Sequence, residues 1–388
     1  MITALACILM NSTPTLNIED LAKQVDEKRL RATVEKLASW PNRNTNNPTL
    51  TEAADWIAGE FRQIPGIEVE IMRYEIQKGQ RVPETKEVVQ VIATLPGTDP
   101  TLKAHRIAIG GHLDTINMGS EGISGKAPGA NDDASGVAAA LECARILSQQ
   151  KFKRTLHFIA FSGEEQGLLG STALAKRAKA EAWNIDAVLS NDMIANSQNK
   201  RGDKEANAVR VFSEETETHE GRELARIMEF LQRESGSKHR INLVFRRDRF
   251  GRGGDHTPFN REGFTAIRVV EQHEEYSHQH TDQDLPEFMD WRYHAENTRM
   301  NLRMLSHFAN AEAAPTQVRV DRRQGYESRV TWKGNAGQEY RVYWRLTTSP
   351  TWQGATTVKG LEALLPKYHK DDYVFAVGAV GGVPVVAE

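Results

Sequence analysis

The sequence predicts an α/β protein in which a mostly parallel mixed sheet is flanked by helices and is followed by a small all-β sandwich. Short apolar segments alternate with helical ones between residues 105 and 271. Strands that are buried on both faces and alternate with helices are typical of parallel sheets. From about Pro315 the helical pattern stops and short alternating segments take over, as expected for an antiparallel β module.

Two helices are predicted before the sheet begins. Asp26 is placed to cap a helix that reaches about Ser39, because an aspartate accepts hydrogen bonds from the first free N–H groups of a helix. Thr49 and Glu52 have the spacing of a capping box at the start of a second helix.

Strands and helices then alternate along the chain. The predicted strands of the sheet are 67–76, 87–95, 105–111, 155–161, 185–191, 208–213 and 265–271. The predicted helices between them are 135–149, 171–182 and 220–235. The strands predicted in the β module are 316–321, 328–332, 339–346 and 373–380.

Composition and charge exclude several classes of protein. The net charge is −3 and no long run of one sign occurs, which argues against nucleic acid or an anionic membrane as the main partner. The two cysteines, Cys7 and Cys143, are too few for a disulfide scaffold or a cysteine zinc cluster.

An apolar run at residues 2–10 is too short to span a bilayer. It fits the hydrophobic part of a secretion signal, although the first basic residue is Lys23 and the usual charged leader is missing. We therefore expect residues 1–24 to be an N-terminal stub and the protein to be secreted or periplasmic, with a cytoplasmic location as the alternative.

Histidines and carboxylates follow the predicted strands at the point where each strand ends. In an open α/β sheet, functional sites gather beyond these carboxyl ends. The residues are His112 and Asp114, the loop pair Asp132 and Asp133, Glu164 and Glu165, Asp192, and the three histidines His273, His278 and His280.

Each of these motifs has an ordinary structural explanation when it is taken alone. The adjacent aspartates of APGANDDASG suit the cap of the helix that follows, SGEEQG suits a solvated turn, and a His-x-Asp pair on a strand suits a structural hydrogen bond. Their occurrence together at consecutive strand ends instead indicates a metal centre. Imidazole and carboxylate ligands without cysteine suit zinc, and three ligating carboxylates balance most of the charge of two such ions.

The segments GGHLDT, APGANDDASGVAAALE, FSGEEQGLLGS, NDM and HQHTDQD resemble the metal-binding segments of the bacterial leucyl aminopeptidase family. The resemblance covers about residues 25–310. It implies a fold of the zinc-exopeptidase type over residues 25–312, two zinc ions, and a peptide substrate with a free amino terminus.

The resemblance also implies a role for each motif residue. His112 and Asp192 would hold one zinc ion, Glu165 and His280 would hold the other, and Asp132 would bridge the two ions. The peptide bond between Asp132 and Asp133 is expected to be cis. The remaining roles are those of Asp114, which would orient the imidazole of His112, and Glu164, which would act as general base.

One segment departs from the family pattern. Many members carry an oxyanion-stabilising tyrosine before a Ser-Asp-His segment, whereas residues 249–259 of this chain contain none. Arg252, Asp255 and His256 are therefore the candidate substrate-binding residues. The alternative is a glycine-rich surface loop with a capping aspartate.

Three other functions are weighed against a zinc aminopeptidase. A glutaminyl cyclase of the same family would work with one zinc ion. A non-catalytic peptidase-like binding protein would be expected to lose ligands. A serine hydrolase is disfavoured because the chain contains no G-x-S-x-G elbow.

The C-terminal part, residues 313–388, resembles a fibronectin type III module. Residues 328–332 and 339–345 match its second and third strands, and Tyr373 matches its corner tyrosine. The resemblance implies a spacer or a module packed on the catalytic domain.

Overall fold

A large mixed sheet forms the centre of the computed structural model, which describes residues 16–214, 220–323 and 325–388. Its strands are β1 (Glu68–Ile76), β2 (Lys86–Leu95), β3 (His105–His112), β4 (Thr155–Phe161), β5 (Asn184–Asn191), β6 (Ala208–Phe212), β7 (Arg240–Val244) and β8 (Ala266–Glu271). They lie in the order β1-β2-β4-β3-β5-β8-β6-β7.

The four neighbouring strands β4, β3, β5 and β8 run parallel. Strand β2 is antiparallel to β4, and β6 is antiparallel to β8, so the predicted mixed sheet with a parallel centre is confirmed. Every residue of β4 and of β8 is buried, which explains why most of their residues are apolar on both faces.

Helices cover both faces of this sheet. They are α1 (Ile18–Ala22), α2 (Glu27–Ala38), α3 (Thr49–Arg62), α4 (Ser135–Leu147), α5 (Leu169–Ala180), α6 (Gly221–Glu234), α7 (His256–Arg261) and α8 (Trp291–Asn310). Helices α2, α3, α4, α6 and α8 share one apolar core with the sheet, and α5 and α7 share a second core on the other face. Helices α4, α5 and α6 confirm the three helices predicted between the strands.

The two predicted caps before the sheet have different outcomes. Asp26 caps α2 as predicted, because its side chain accepts a hydrogen bond from the backbone N–H of Lys28. The capping box at Thr49 is wrong, since α3 begins after Pro48 with no side-chain cap. The Thr49 hydroxyl donates instead to the carbonyl of Asn42. A contact outside the helix therefore uses the hydroxyl that the local sequence pattern assigned to the helix cap.

Part of the expected N-terminal stub belongs to the packed body. Helix α1 lies against α8, Leu21 and Ala22 are buried, and the Arg303 guanidinium donates two hydrogen bonds to Glu19, at 2.8 and 2.9 Å. The apolar run at residues 2–10 and Cys7 lie outside the described residues. Among the helices of the described part, none is long and apolar enough to cross a bilayer.

Two small antiparallel sheets follow α8 and form the predicted β sandwich. Their strands are β9 (Thr316–Val320), β10 (Ser328–Lys333), β11 (Glu339–Leu346), β12 (Gly354–Lys359), β13 (Glu362–Leu365), β14 (Tyr373–Ala379) and β15 (Val385–Val386). One sheet has the order β13-β10-β9 and the other the order β12-β11-β14-β15. Val330 and Trp332 of the first sheet share a buried core with Val342 and Phe375 of the second.

The outer face of the four-stranded sheet packs against α6. Tyr343 and Trp352 are buried in the core of the larger domain, and the Tyr343 ring meets the Phe230 ring edge-on at 5.3 Å. The Arg233 guanidinium donates to the carbonyl of Trp352 at 2.7 Å. The β module therefore packs on the larger domain through an apolar contact, and this hydrogen bond lies at the border of that contact.

Candidate metal centre

The carboxyl ends of the parallel strands bring the predicted metal ligands together. His112 is the last residue of β3, Glu165 lies four residues beyond β4, and Asp192 follows β5 directly. His280 lies in the loop after β8, and Asp132 lies in the π-helical turn Ala130–Ala134 that precedes α4. Because β4, β3, β5 and β8 are neighbours in one parallel set, all these residues meet at one edge of the sheet.

Asp132 lies between two imidazoles and faces each with a different oxygen. Its Oδ1 is 3.0 Å from Nε2 of His112, and its Oδ2 is 3.2 Å from Nε2 of His280. Asp192 Oδ1 is 3.8 Å from His112 Nε2, and Glu165 Oε1 is 3.0 Å from His280 Nε2. These five side chains therefore form two ligand triads that share the carboxylate of Asp132.

Both triads fit zinc in geometry and in charge. Tetrahedral ligands about 2.0–2.1 Å from a zinc ion lie about 3.3 Å from one another, and the ligand atoms of each triad lie within 4.8 Å of one another. Burial lowers the pKa of His280, but the Glu165 and Asp132 carboxylates raise it to about 11. The cavity thus carries a strong negative field, which a divalent cation held by these atoms would neutralise.

His112 is oriented by a backbone carbonyl. Its Nδ1 donates to the carbonyl oxygen of Asp114 at 3.0 Å, whereas the Asp114 carboxylate lies 3.9 Å away. Asp114 therefore orients this imidazole as predicted, but it does so through its backbone carbonyl. A hydrogen bond at Nδ1 leaves the lone pair of the ring on Nε2, which faces the metal position.

The Asp114 carboxylate positions the two glutamates instead. Its oxygens accept hydrogen bonds from the backbone N–H groups of Glu164 at 3.2 Å and Glu165 at 3.1 Å. It is completely buried, and the two bonds compensate part of the cost of burying the charge. Asp114 therefore fixes the turn that carries the ligand Glu165 and the candidate base Glu164.

Asp132 and Asp133 have different partners although they are adjacent in sequence. The peptide bond between them is cis, as predicted. The backbone N–H groups of Asn131 and Asp132 both donate to the carboxylate of Asp284 at 2.9 Å. Asp284, within the segment HTDQD, therefore fixes the backbone that presents the Asp132 carboxylate to both triads.

Asp133 performs the structural task that the pair would have in an ordinary helix cap. Its carboxylate accepts from the backbone N–H groups of His112 at 3.0 Å, Gly136 at 2.9 Å and Met193 at 3.2 Å. A Cβ atom on Gly111 or Gly136 would lie only 2.6 or 2.5 Å from Asp133 Oδ2. Both glycines are thus needed for the close approach that ties β3, α4 and the end of β5 together.

Glu164 lies next to the triads, but it is not the carboxylate that bridges them. One of its carboxylate oxygens falls within the same 4.8 Å group as ligand atoms of His112 and Glu165. Burial raises the pKa of Glu164 well above its usual value; His112 opposes this shift, and the carboxylates of Glu165, Asp192 and Asp255 add to it. A carboxyl group with a raised pKa beside a metal position suits proton transfer.

The three candidate substrate-binding residues have different surroundings. Asp255 is buried near the site, its Oδ1 has no hydrogen-bond partner, and burial raises its pKa to about 7. Arg252 is exposed on a loop. His256 is buried and its Nε2 donates to the carbonyl of Arg247 at 2.7 Å, so this imidazole holds the loop and is not directed at the triads. The prediction of His256 as an oxyanion donor at the metal centre is corrected accordingly, and that of Arg252 stays a prediction.

Among the other two histidines of the QHEEYSHQHTDQD segment, neither belongs to a metal-ligand group of the described residues. His278 packs its ring against Phe288 with 4.3 Å between the ring centroids, and His273 is half-buried. The preference for His280 as the ligand is therefore consistent with the geometry.

Arg268 is a residue of the site that the sequence motifs did not include. It is completely buried on β8, and its guanidinium contacts Asp192 Oδ2 at 3.0 Å and Asp248 Oδ1 at 2.6 Å. Burial raises the pKa of Asp192, but the Arg268 guanidinium and His112 hold it below its usual range. Because Oδ2 is taken by Arg268, only Oδ1 of Asp192 faces the metal position. In the sequence, the feature that could have revealed Arg268 is an arginine within the mostly apolar strand AIRVVE.

Sequence relatives show the class and the family of the protein. A model of Peptidase family M28 matches residues 90–305, more than half of the 388-residue chain. A probable zinc metalloprotease from Leptosphaeria maculans is 30% identical over 415 residues, which cover 96% of this chain and 96% of that protein. Another from Pyricularia oryzae is 32% identical over 422 residues, which cover 96% of this chain and 84% of that protein.

These matches define the class as zinc-dependent peptidases. The chain belongs to Peptidase family M28. Both relatives are fungal, so they do not support the qualifier bacterial in the predicted resemblance.

Solved structures share the architecture at low sequence identity. An aminopeptidase from Aneurinibacillus sp. strain AM-1 superimposes with a TM-score of 0.57 and 16% identity, covering 74% of this chain and 95% of that chain. A leucine aminopeptidase precursor from Bacteroides thetaiotaomicron gives a TM-score of 0.58 and 17% identity, covering 72% of this chain and 96% of that chain. Likeness at such identity shows the fold alone, and it confirms the predicted sheet flanked by helices.

Proposed function

We propose that this chain is a two-zinc aminopeptidase that removes amino-terminal residues from peptides, with Glu164 as general base. The observation that carries the proposal is the position of Asp132, whose two oxygens lie 3.0 and 3.2 Å from the Nε2 atoms of His112 and His280. A carboxylate placed in this way can bridge two ions, and Asp192 and Glu165 complete one triad each.

The chain's own residues supply the steps around the metal ions. Bound zinc would acidify a water molecule and polarise the carbonyl of the scissile peptide bond. The Glu164 carboxylate takes a proton from the attacking water and passes it to the nitrogen of the leaving amine. The hydrogen bonds from the Glu164 and Glu165 N–H groups to Asp114 hold this base and the ligand beside it in place.

The charge around the site favours the amino end of a peptide. Two zinc ions would offset the charge of the three ligating carboxylates, so the charge that a substrate meets depends on the neighbouring Glu164 and Asp255. When either of these groups is ionised, it attracts the ammonium group of a peptide and repels a terminal carboxylate. This supports removal of residues from the amino terminus over removal from the carboxyl terminus.

The two alternative functions have less support. A one-zinc glutaminyl cyclase would not need both triads, and the sequence relatives are described as zinc metalloproteases. A non-catalytic binding protein would not need Glu164 beside a complete ligand set. A peptide that begins with glutamine separates the first alternative: released glutamine supports the aminopeptidase, and a pyroglutamyl peptide supports the cyclase.

We also propose that residues 313–388 form a fibronectin type III-like module on a peptidase domain of residues 25–312. The module has three and four strands in its two sheets, and Tyr373 begins β14 and packs edge-on against Tyr368 at 5.1 Å. Chain ends mapped after limited proteolysis test this boundary, and cleavage throughout the module with none near residue 312 would reject it.

Export is a further proposal, which rests on the apolar run at residues 2–10. Sequencing the amino terminus of the protein secreted by its native cells tests it. A mature chain that lacks this run supports export, and retention of the whole chain inside the cell contradicts it.

Replacement of the base tests the proposed function most simply. Glu164→Gln keeps the size of the side chain and leaves the five ligands in place, so its zinc content should equal that of the native protein. Hydrolysis of an aminoacyl chromogenic amide should fall about 10²–10⁴-fold, the usual value of a general base. Glu287→Gln, an exposed glutamate on the 3₁₀ turn Pro286–Phe288, is the matched control. Activity of Glu164→Gln above about a tenth of the native value would reject Glu164 as the base.

A further inference from the structure

A loop rich in arginine lies between β7 and α7. Residues 246–253, here called the arginine loop, have the sequence RRDRFGRG. The loop lines one side of a cavity of about 570 Å³, and Leu168, Thr257 and Arg261 line the rest. Five arginines line this cavity, in a chain whose net charge is −3, so the positive charge is a local property of this surface.

Two of the arginines hold the loop in place. Arg247 pairs with Glu214 at 3.1 Å, and Arg249 is half-buried and pairs with Glu274. The guanidinium of Arg249 also lies 5.7 Å from the centre of the Tyr276 ring. These contacts fix the backbone of the loop and neutralise two of its charges.

Among the described residues, the other three arginines have no carboxylate partner, and Arg246 lies 6.0 Å from the centre of the Phe250 ring. Arg246, Arg252 and Arg261 are exposed, and no carboxylate of a described residue lies within ion-pair distance of their guanidinium groups. Phe250, at the tip of the loop, is 91% exposed. The surface therefore offers three cationic groups without an ion-pair partner in the described part of the chain, beside an apolar ring, which is a combination suited to a ligand with carboxylates.

This cavity adjoins the metal centre at two points. Leu168 lines it and donates its backbone N–H to the carbonyl of Glu164 at 2.9 Å. Asp248, which also lines it, shares the Arg268 guanidinium with the ligand Asp192. This second contact runs through the buried interior, since Asp248 is 1% and Arg268 0% exposed. A bound peptide would therefore reach the loop over the turn from Glu164 to Leu168, and four residues joined in this way span about 6 Å. Extended peptide residues are spaced about 3.3 Å apart, so the second to fourth residues of a bound peptide span this distance.

We propose that the site prefers peptides that carry a carboxylate a few residues downstream of the cleaved bond, and that Arg246, Arg252 and Arg261 bind it. The proposal rests on the aminopeptidase function proposed above. The ammonium group of the peptide lies at the metal centre beside the carboxyl groups of Glu164 and Asp255, and the downstream carboxylate lies in the positive field of the arginine loop. The carboxylate belongs to an Asp or Glu side chain or, in a short peptide, to the carboxyl terminus.

Peptide series with one variable position test this preference on the zinc-loaded full chain. The peptides share their amino-terminal residue and carry Glu, Gln or Lys at position two, three or four, each as the free acid and as the amide. We expect kcat/KM to be about 3- to 10-fold higher for the Glu peptides than for the Gln peptides, as a few exposed charge pairs allow. The ratio should shrink as salt is raised from about 50 to 500 mM. A difference between free acids and amides identifies the terminal carboxylate as the bound group.

Two triple variants, each of which removes three arginines, test whether the arginine loop causes the preference. The triple variant R246Q/R252Q/R261Q should bring the Glu-to-Gln ratio close to 1. The control R62Q/R319Q/R322Q removes three exposed arginines from α3 and the β module, and it should keep the native ratio. A Glu-to-Gln ratio of 1 in the native protein overturns the proposal, and so does a native-like ratio in R246Q/R252Q/R261Q.

Binding separates this proposal from the proposed function. If no peptide is hydrolysed, the aminopeptidase function fails, and the affinity of the same peptides for the native protein then decides about the arginine loop. Tighter binding of the Glu peptides that is lost in R246Q/R252Q/R261Q supports the loop as an anion site. Equal affinity of Glu and Gln peptides rejects it.

Discussion

The two halves of the metal centre are built in different ways. In the His112–Asp192 half, the imidazole is 2% exposed and the Asp192 carboxylate is fixed from behind by the buried guanidinium of Arg268. In the Glu165–His280 half, the imidazole is 18% exposed, and backbone contacts of the loops fix the ligands. The backbone of His280 is left-handed, with a φ of 58°, and its carbonyl accepts from the N–H of Met118 at 2.9 Å.

The difference shows how one shared carboxylate can serve two metal positions that are built in different ways. The His112–Asp192 half is part of the protein interior, where the Asp114 carbonyl directs the imidazole and the Arg268 guanidinium directs the carboxylate. The Glu165–His280 half is carried by loops, whose backbone is held by the Asp114 carboxylate at Glu165 and by the N–H of Met118 at His280. Only Asp132 belongs to both halves, so changes at Asp132, at one half, and beneath the site should have effects of decreasing size.

Removal of the carboxylate that both halves share should give the largest loss of bound zinc and of hydrolysis. Asp132→Ala leaves each half with two protein ligands, so zinc should fall below one ion per chain and hydrolysis should fall at least about 10³-fold. His280→Ala damages one half only and should retain about one zinc ion per chain. Elemental analysis after gel filtration measures both values. Equal zinc contents in Asp132→Ala and the native protein would contradict the bridging role.

Removal of Arg268 should affect one half of the centre. Arg268→Met alone would leave Asp192 and Asp248 as uncompensated buried charges, which costs about 3–5 kcal/mol. The double variant R268M/D248N avoids part of this cost by removing the second carboxylate. Because Asp192 loses the group that orients it, we expect zinc affinity in the His112–Asp192 half to fall about 10- to 100-fold, with the other half unchanged.

Competition with a chelator measures the two zinc affinities separately. R303M/E19Q, which removes the ion pair between α8 and α1, is the matched control and should keep both native affinities. Equal weakening of both halves in R268M/D248N, or no weakening in either, would show that Arg268 does not position Asp192.

Sequence patterns predicted the convergence of the ligands because it follows from the order of secondary structure. His112, Glu165, Asp192 and His280 all follow strands of one parallel set, and the carboxyl ends of such strands lie at one edge of the sheet. The motif resemblance then distinguished Asp132 from its neighbour Asp133 and His280 from the other histidines of its loop. The sheet and its flanking helices could be predicted for the same reason.

The rest depends on contacts between residues that are distant in the chain. The link from Arg268 to Asp192 joins residues 76 positions apart, and no local pattern reveals it. His256 was a reasonable donor by its motif, but its Nε2 donates to the Arg247 carbonyl. Thr49 has the local features of a cap, yet its hydroxyl bonds to Asn42. In each case a tertiary partner decided between options that the sequence leaves open.

The smallest effect on the metal centre should come from a histidine beneath the site, which should change the stability of the fold and leave both halves alike. Burial lowers the pKa of His294 to about 4, and its neutral Nε2–H donates to the carbonyl of Ser135 at the start of α4, at 2.9 Å. Between pH 6.5 and 4 the unfolded chain binds a proton at this residue and the folded chain does not. The free energy of unfolding should therefore fall as the pH falls through this window, by a contribution on the order of 3 kcal/mol.

His294→Gln keeps a donor but cannot titrate, so its stability should depend less on pH between 6.5 and 4. Urea unfolding of both proteins at a series of pH values measures the difference. Parallel curves for His294→Gln and the native chain over this range would show that His294 does not contribute to acid sensitivity.

Anomalous X-ray scattering at the zinc edge, from crystals of the native protein, tests the two-half centre most directly. The account predicts two peaks on opposite sides of the Asp132 carboxylate. One should lie about 2.0–2.2 Å from His112 Nε2 and Asp192 Oδ1, and the other at the same distance from His280 Nε2 and a Glu165 oxygen. A single peak, or peaks that Asp132 does not join, would contradict it.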